Sequence, residues 1–280
     1  INEGTETISI RGLTNCGDIP VDILIKEKPP VLVNIPTRSL CNGSGPVTLT
    51  ANVFGGMQPY TWLWDNGATT ASIAVNPSGP TNYQVTVSDA CGTTVVQTTT
   101  VAVAPIPTAS IGVPPFVCSG IPLTVAYTGT ATPAATYLWD FDNPTTVSSG
   151  SDQGPYQISW DSSGTKTIRL QVIENGCSSQ VVTAQTIVNP TPTAVFEVDP
   201  IVCAGQIATV TYTGTGTDMG GYGWGFPGGV IITGGRRGPF EIRWDSAGVH
   251  GITLTVTENG CTSPGAQQFV NVRPTPATDF

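Results

Sequence analysis

GPYQISWDSSGTKTIRLQVIENGC, residues 154–177, returns as GPFEIRWDSAGVHGITLTVTENGC, residues 238–261, with 14 of 24 positions identical. Inside it, Ile168, Leu170 and Val172 alternate with Arg169 and Gln171. Ile252, Leu254 and Val256 alternate with Thr253 and Thr255. A period of two puts successive side chains on opposite faces of a strand, so each stretch predicts a half-buried β-strand. Asp161-Ser-Ser-Gly164 and Glu174-Asn-Gly176 are turn clusters that bound it.

The match extends upstream. Cys118-Ser-Gly leads to Val125, Tyr127 and Thr128-Gly129, and Cys203-Ala-Gly leads to Val210, Tyr212 and Thr213-Gly214 at the same offsets. Tyr137 and Trp139 correspond to Tyr222 and Trp224. A more distant copy begins near Val33 and runs through Cys41, Tyr60, Trp62, Trp64 and Tyr83 to Cys91. Cys91, Cys177 and Cys261 lie 86 and 84 residues apart, and self-similarity at such a period marks a repeat architecture. Residues 1–30 read as the C-terminal part of a preceding repeat, 31–106, 107–191 and 192–275 as three repeats, and 276–280 as the start of another. On this reading the chain is a window of a longer polypeptide.

Each repeat carries about seven short strands and no helical period longer than two turns, which predicts an all-β protein made of antiparallel β-sandwiches. The joints Ala104-Pro-Ile-Pro-Thr108, Asn189-Pro-Thr-Pro-Thr193 and Arg273-Pro-Thr-Pro-Ala277 each hold two prolines. Such joints favour polyproline II and are semi-rigid, so the array is expected to form an elongated rod.

Charged residues are 10% of the chain, the formal charge is −9 and the pI about 4.4, which argues against a nucleic-acid partner. No apolar run is long enough to span a membrane. Seven cysteines (Cys16, Cys41, Cys91, Cys118, Cys177, Cys203, Cys261) form no Cys-x-x-Cys, which excludes zinc ribbons and thioredoxin motifs. Spaced along a β-rich chain they read as disulfides, hence an extracellular or cell-surface setting.

Other candidate residues have structural readings beside the functional ones. His250, the single histidine, corresponds to Lys166 in the other copy, which marks an exposed strand position rather than a catalytic one. Trp139 and Trp224 are expected in the core, and Trp160 and Trp244 in core or edge packing. Tyr60, Trp62 and Trp64 share one strand face and are the candidate row for stacking on sugar rings. Asp140, Asp142, Asp152 and Asp161 would suit calcium only if they converged. They are read as solvated turn carboxylates, since the third copy has Gly225 in place of Asp140, and no cofactor is expected. Isopeptide staples have few lysines to draw on (Lys26, Lys28, Lys166). Asn42-Gly-Ser44 and Asp245-Ser-Ala247 are formal glycosylation triplets of a kind common by chance.

Tyr137-Leu-Trp-Asp-Phe-Asp142, Gly164 and Ile168-x-Leu-x-Val172 together resemble the signature of PKD (polycystic-kidney-disease-type) domains, which are Ig-like sandwiches. Trp224-Gly-Phe226 departs from it by lacking the aspartate. Gly55-Gly-Met-Gln-Pro-Tyr-Thr-Trp-Leu-Trp-Asp65 is similar to repeats of gliding-motility surface adhesins of Bacteroidota, and the Glu-Asn-Gly-Cys endings resemble modules of that phylum's secreted proteins. The resemblance implies a non-enzymatic structural or adhesive stalk in a large surface filament or adhesin. Its expected partners are neighbouring repeats of the same chain and surface polysaccharide or other filament subunits. The alternative is a set of carbohydrate-binding accessory modules of a secreted hydrolase.

The resemblance also bears on cysteine pairing. One scheme pairs within repeats: Cys41–Cys91, Cys118–Cys177 and Cys203–Cys261. In a PKD-like strand order, however, the two cysteines of one repeat stand at opposite poles, roughly 20 Å apart, too far for a disulfide. A ladder between repeats is the other scheme: Cys41–Cys177 and Cys118–Cys261, with Cys203, Cys91 and Cys16 pairing outside residues 1–280. Both schemes stay open at this point, with the ladder slightly favoured.

Overall fold

The computed structural model describes residues 5–12, 19–26 and 28–275 and is all-β: among them there is no helix. They form two compact units, Ile1–Ile106 with Asn175–Ser178, and Pro107–Glu174 with Ser179–Phe280.

In the first unit, Thr5–Gly12 and Ile19–Lys26 pair as an antiparallel hairpin. The sandwich that follows has one four-stranded sheet, in the order Arg38–Cys41, Thr94–Ala104, Thr81–Ser88, Thr61–Trp64. Two strand pairs complete it: Leu32–Asn34 with Asn52–Phe54, and Val47–Thr50 with Ser72–Val75. Leu49, Trp64, Ile73, Val85, Val87 and Val101 fill its core.

The second unit contains two sandwiches of the same design. In the earlier one, Ile111–Gly112, Leu123–Tyr127, Tyr156–Ser159 and Thr146–Ser149 form one sheet, and Phe116–Cys118, Val182–Asn189, Gly164–Glu174 and Thr136–Asp140 the other. In the later one the corresponding sheets are Phe196–Val198, Ile207–Tyr212, Phe240–Arg243, Val230–Thr233, and Ile201–Cys203, Ala266–Arg273, Gly248–Glu258, Gly221–Gly225. The quoted alternation is the core stripe: Ile168, Leu170 and Val172, like Ile252, Leu254 and Val256, are fully buried. Each such side chain contributes about 1.5–3 kcal/mol by leaving water. Trp160 and Trp244 are also fully buried. Their indole N–H groups donate to the carbonyls of Asp142 and Pro227 at 3.1 and 3.2 Å.

The sandwiches are not wholly antiparallel, as the sequence reading had expected. The short strand ending in each first cysteine runs parallel to the last strand of its repeat, with Cys41 opposite Ala104, Cys118 opposite Asn189 and Cys203 opposite Arg273. The reason is local. Proline residues (Pro36, Pro114-Pro115, Pro200) interrupt the opening segment. A strand broken there loses its ladder bonds and resumes, still running forward, on the edge of the opposite sheet.

Candidate functional site

Among the described residues, the positions where one repeat meets the next carry both disulfides. In the second unit, the hairpin Glu174-Asn-Gly-Cys has its counterpart in Glu258-Asn-Gly-Cys261. Asn259 and Gly260 have φ of 49° and 79°, so two successive left-handed residues make the tight turn. Asn tolerates that region and Gly adopts it freely. The turn aims Cys261 at Cys118 of the preceding repeat, with Cα atoms 5.6 Å apart and the sulfurs at bonding distance, 2.09 Å. Asn189 Nδ2 donates to the Asn259 carbonyl at 2.8 Å. Phe116 packs on Gly260 so closely that a Cβ there would stand 3.0 Å from its ring. Cys118 Sγ lies 3.8 Å from the Gly260 carbonyl and Cys261 Sγ 3.9 Å from the Asn189 carbonyl.

The first unit contains the same arrangement. Cys41 faces Cys177 of the tip Asn175–Ser178, sulfurs 2.08 Å and Cα atoms 5.6 Å apart. Their sulfurs lie 3.9 Å from the Gly176 carbonyl and 4.0 Å from the Ala104 carbonyl. Cys91 and Cys203 are unpaired and exposed among the described residues; Cys16 lies outside them.

Two further devices brace the repeats, and sequence reasoning had assigned neither. The tyrosine that precedes each Thr-Gly pair clips the joint strand. Tyr127 Oη donates to the Thr108 carbonyl at 2.8 Å and accepts from Ala131 N at 2.6 Å. Tyr212 Oη donates to the Thr193 carbonyl at 2.7 Å and accepts from Gly216 N at 2.6 Å. Gly129 and Gly214 are required beside it, because a Cβ would come within 2.0 and 2.2 Å of those threonine carbonyls. The signal was the identical Tyr-Thr-Gly offsets.

The carboxylate before each hairpin tip is the other device. Glu174 accepts from Thr132 N at 2.9 Å and Thr132 Oγ1 at 2.5 Å, and these bonds hold its carboxyl below the usual range, the hydroxyl contributing most. Glu258 takes the backbone N–H and hydroxyl of Thr217 in the same way. In the first repeat the role falls to Asp89, whose carboxylate is fully buried and paired with Lys28. It also accepts from Met57 N, Cys91 N and Thr93 N. Its pKa is held at about 2, chiefly by the Lys28 hydrogen bond; burial opposes the lowering, and the backbone donors Met57 N and Thr93 N add to it. Gly56 N donates to the Pro29 carbonyl at 2.9 Å, so Lys28 and Pro29 are both fastened to this repeat.

The sugar-stacking row requires correction. Trp64 is 1% exposed, and Tyr60 and Trp62 pack against the same core, edge to face at 6.3 Å; the outward residue of the strand is Leu63. A sugar ring needs an aromatic face open to water, and this row is turned inward. Trp139 and Trp224 lie partly buried against the cores, each stacked with the next aromatic, Phe141 and Phe226, at 5.4 and 5.6 Å. The aspartates do not converge. Asp140 accepts from Asp142 N and Asp142 from Thr167 N, and among the described residues no three His, Cys, Asp or Glu side chains are placed to hold a metal ion. His250 rests against Trp244, with Nε2 3.1 Å from the Ser246 carbonyl. Lys166 donates to Ser162 Oγ.

No family model matches the chain, and no curated protein does. Among solved structures it is similar to a three-domain I-band fragment of titin, domains I67–I69. The TM-score is 0.52 at 12% identity, over 89% of this chain and 99% of that one. An E-to-A variant of the same fragment gives the same figures. An ICAM-5 D1–D4 ectodomain fragment aligns at TM-score 0.47 and 14% identity, over 98% and 84%. The sheet topology and the titin match make the fold that of tandem immunoglobulin-like domains, and at 12% identity the likeness concerns the fold alone. No helix among the described residues is long and apolar enough to cross a membrane.

Proposed function

We propose that the chain is a segment of an extracellular, non-enzymatic stalk, built of PKD-like repeats and belonging to a cell-surface adhesin or filament of the Bacteroidota type. Its consecutive repeats are stapled by Cys41–Cys177 and Cys118–Cys261. The observation that carries the reading is the seat of Cys118. A cysteine of one repeat meets the hairpin tip of the next among hydrogen bonds and packing that belong to both repeats. A disulfide inside one domain stabilises that domain; one across a joint transmits tension along the chain. Disulfides of this kind persist in oxidising compartments, which supports an extracellular location.

The inward turn of Tyr60, Trp62 and Trp64 weighs against the carbohydrate-module alternative, since it removes that reading's main platform. The test is location and ligand together. Antibody raised to the chain should decorate intact producing cells, and any binding to a polysaccharide array should be unchanged by Trp62→Ala. A cytoplasmic chain with reduced cysteines would overturn the stalk, and tight glycan binding abolished by Trp62→Ala would favour the alternative.

A further inference from the structure

Residues 192–275 carry an unpaired cysteine in a surrounding that the other two repeats use for bonding. Cys203 ends a strand parallel to the last strand, opposite Arg273, as Cys118 stands opposite Asn189 and Cys41 opposite Ala104. The turn after it is the same. Gln206 N donates to the Cys203 carbonyl, as Ile121 N does to Cys118 and Ser44 N to Cys41. Gly205, Gly120 and Gly43 all sit near φ +77° (79°, 75° and 77°). Ala204 N donates to the Arg273 carbonyl at 2.8 Å, as Ser119 N does to Asn189 and Asn42 N to Ala104. Ile201, 49% exposed, occupies the place from which Phe116 packs on Gly260.

We propose that Cys203, Ile201 and the Arg273 carbonyl form a preformed seat for the cysteine-bearing hairpin tip of a further repeat of this kind, an x-Asn-Gly-Cys turn. The second observation beside the thiol is that the equivalent seats at Cys41 and Cys118 both hold such a tip. The chemistry is thiol–disulfide exchange. The Cys203 thiolate attacks a small-molecule disulfide such as oxidised glutathione and expels one glutathione thiolate. The tip thiolate then attacks that mixed disulfide at the Cys203 sulfur and expels the other. Two protein thiols are thereby oxidised, and one glutathione disulfide is reduced to two thiols.

This inference rests on the stalk reading. Its test is the full chain continued past Phe280 with a second copy of residues 197–275, since Pro276–Phe280 matches Pro192–Phe196 in spacing. The extended chain is folded in a glutathione redox buffer, alkylated and digested without reduction. Cys203 should be found linked to the added copy's hairpin cysteine, and the added counterpart of Cys203 should be alkylated. Cys203 alkylated, beside an intact Cys118–Cys261 peptide, would overturn the seat and leave the stalk standing; loss of Cys118–Cys261 itself would strike the stalk. A second measurement does not depend on the added copy folding. The unextended chain is exposed to a peptide of residues 253–264 activated as a thionitrobenzoate disulfide. Capture at Cys203 should run at least about tenfold faster than at Cys91, the kinetic equivalent of ~1.4 kcal/mol of seat contacts; equal rates would overturn the proposal.

Discussion

Substituting Cys91 by serine should leave the extensibility of the oxidised chain unchanged, and this outcome separates the two pairing schemes. With Cys41–Cys177 and Cys118–Cys261 in place, four covalent routes connect Cys41 to Cys261. The shortest crosses to Cys177, returns along the backbone to Cys118 and crosses to Cys261. It contains the 59 residues between positions 118 and 177. At about 3.4 Å per extended residue, the stretch from Cys41 to Cys261 goes taut at about 200 Å. Full reduction frees the whole 220 residues from 41 to 261, about 750 Å, a gain of about 550 Å. Pairing within repeats would give a similar oxidised length for the unmodified chain, because only residues 91–118 and 177–203 would be free. With Cys91→Ser, that scheme opens residues 41–118 as well, so its taut length rises to 103 residues, about 350 Å. Cys91 is exposed and unpaired, so the substitution removes nothing from a core. Single-molecule force spectroscopy with handles outside residues 41–261 reads the contour directly. The account requires about 200 Å before and after the substitution; lengthening by about 150 Å in the variant would refute it.

Tyr212→Phe keeps the ring but removes the joint clip and leaves the buried Gly216 N–H without its acceptor, a loss of about 1–3 kcal/mol. Calorimetry should show the 192–275 transition lowered by at least about 4 °C, and no change would mean that the clip contributes nothing. The Glu174 carboxyl is depressed in the folded chain, so its contribution is complete above the ordinary value of 4.5 and is lost as pH falls through the folded one. Glu174→Gln should accordingly flatten the acid limb of the stability profile measured by urea unfolding. For Asp89, carboxyl NMR should find a midpoint near 2, returning toward 3.8 in Lys28→Gln. Replacing Pro190 and Pro192 by glycine should widen the distribution of angles between the 107–191 and 192–275 repeats in single-particle images. An unchanged distribution would assign the stiffness to the contacts at Cys118 and Asn189.

Strand alternation and repeat period made the sandwiches legible in the sequence, because burial on one face of a strand forces a period of two. The same rule misled at Tyr60, Trp62 and Trp64. Periodicity says that these residues share a face but not which face, and only the packing of Leu49, Val85 and Val101 beneath Trp64 decides it. The parallel cysteine strands escaped notice because three or four residues after a proline carry no pattern of their own. Thr132 and Glu174, like Lys28 and Asp89, are far apart in the chain, so these clips exist only once the fold brings their partners together. Cysteine spacing fits both pairing schemes, since the schemes differ in which pole of the sandwich each sulfur occupies, a property of strand order rather than of distance along the chain.

The most direct measurement is a non-reducing peptide map of the native chain, alkylated before digestion so that thiols cannot reshuffle. The account predicts Cys41–Cys177 and Cys118–Cys261 peptides, with Cys91 and Cys203 alkylated in the 280-residue chain; a Cys118–Cys177 peptide would contradict it.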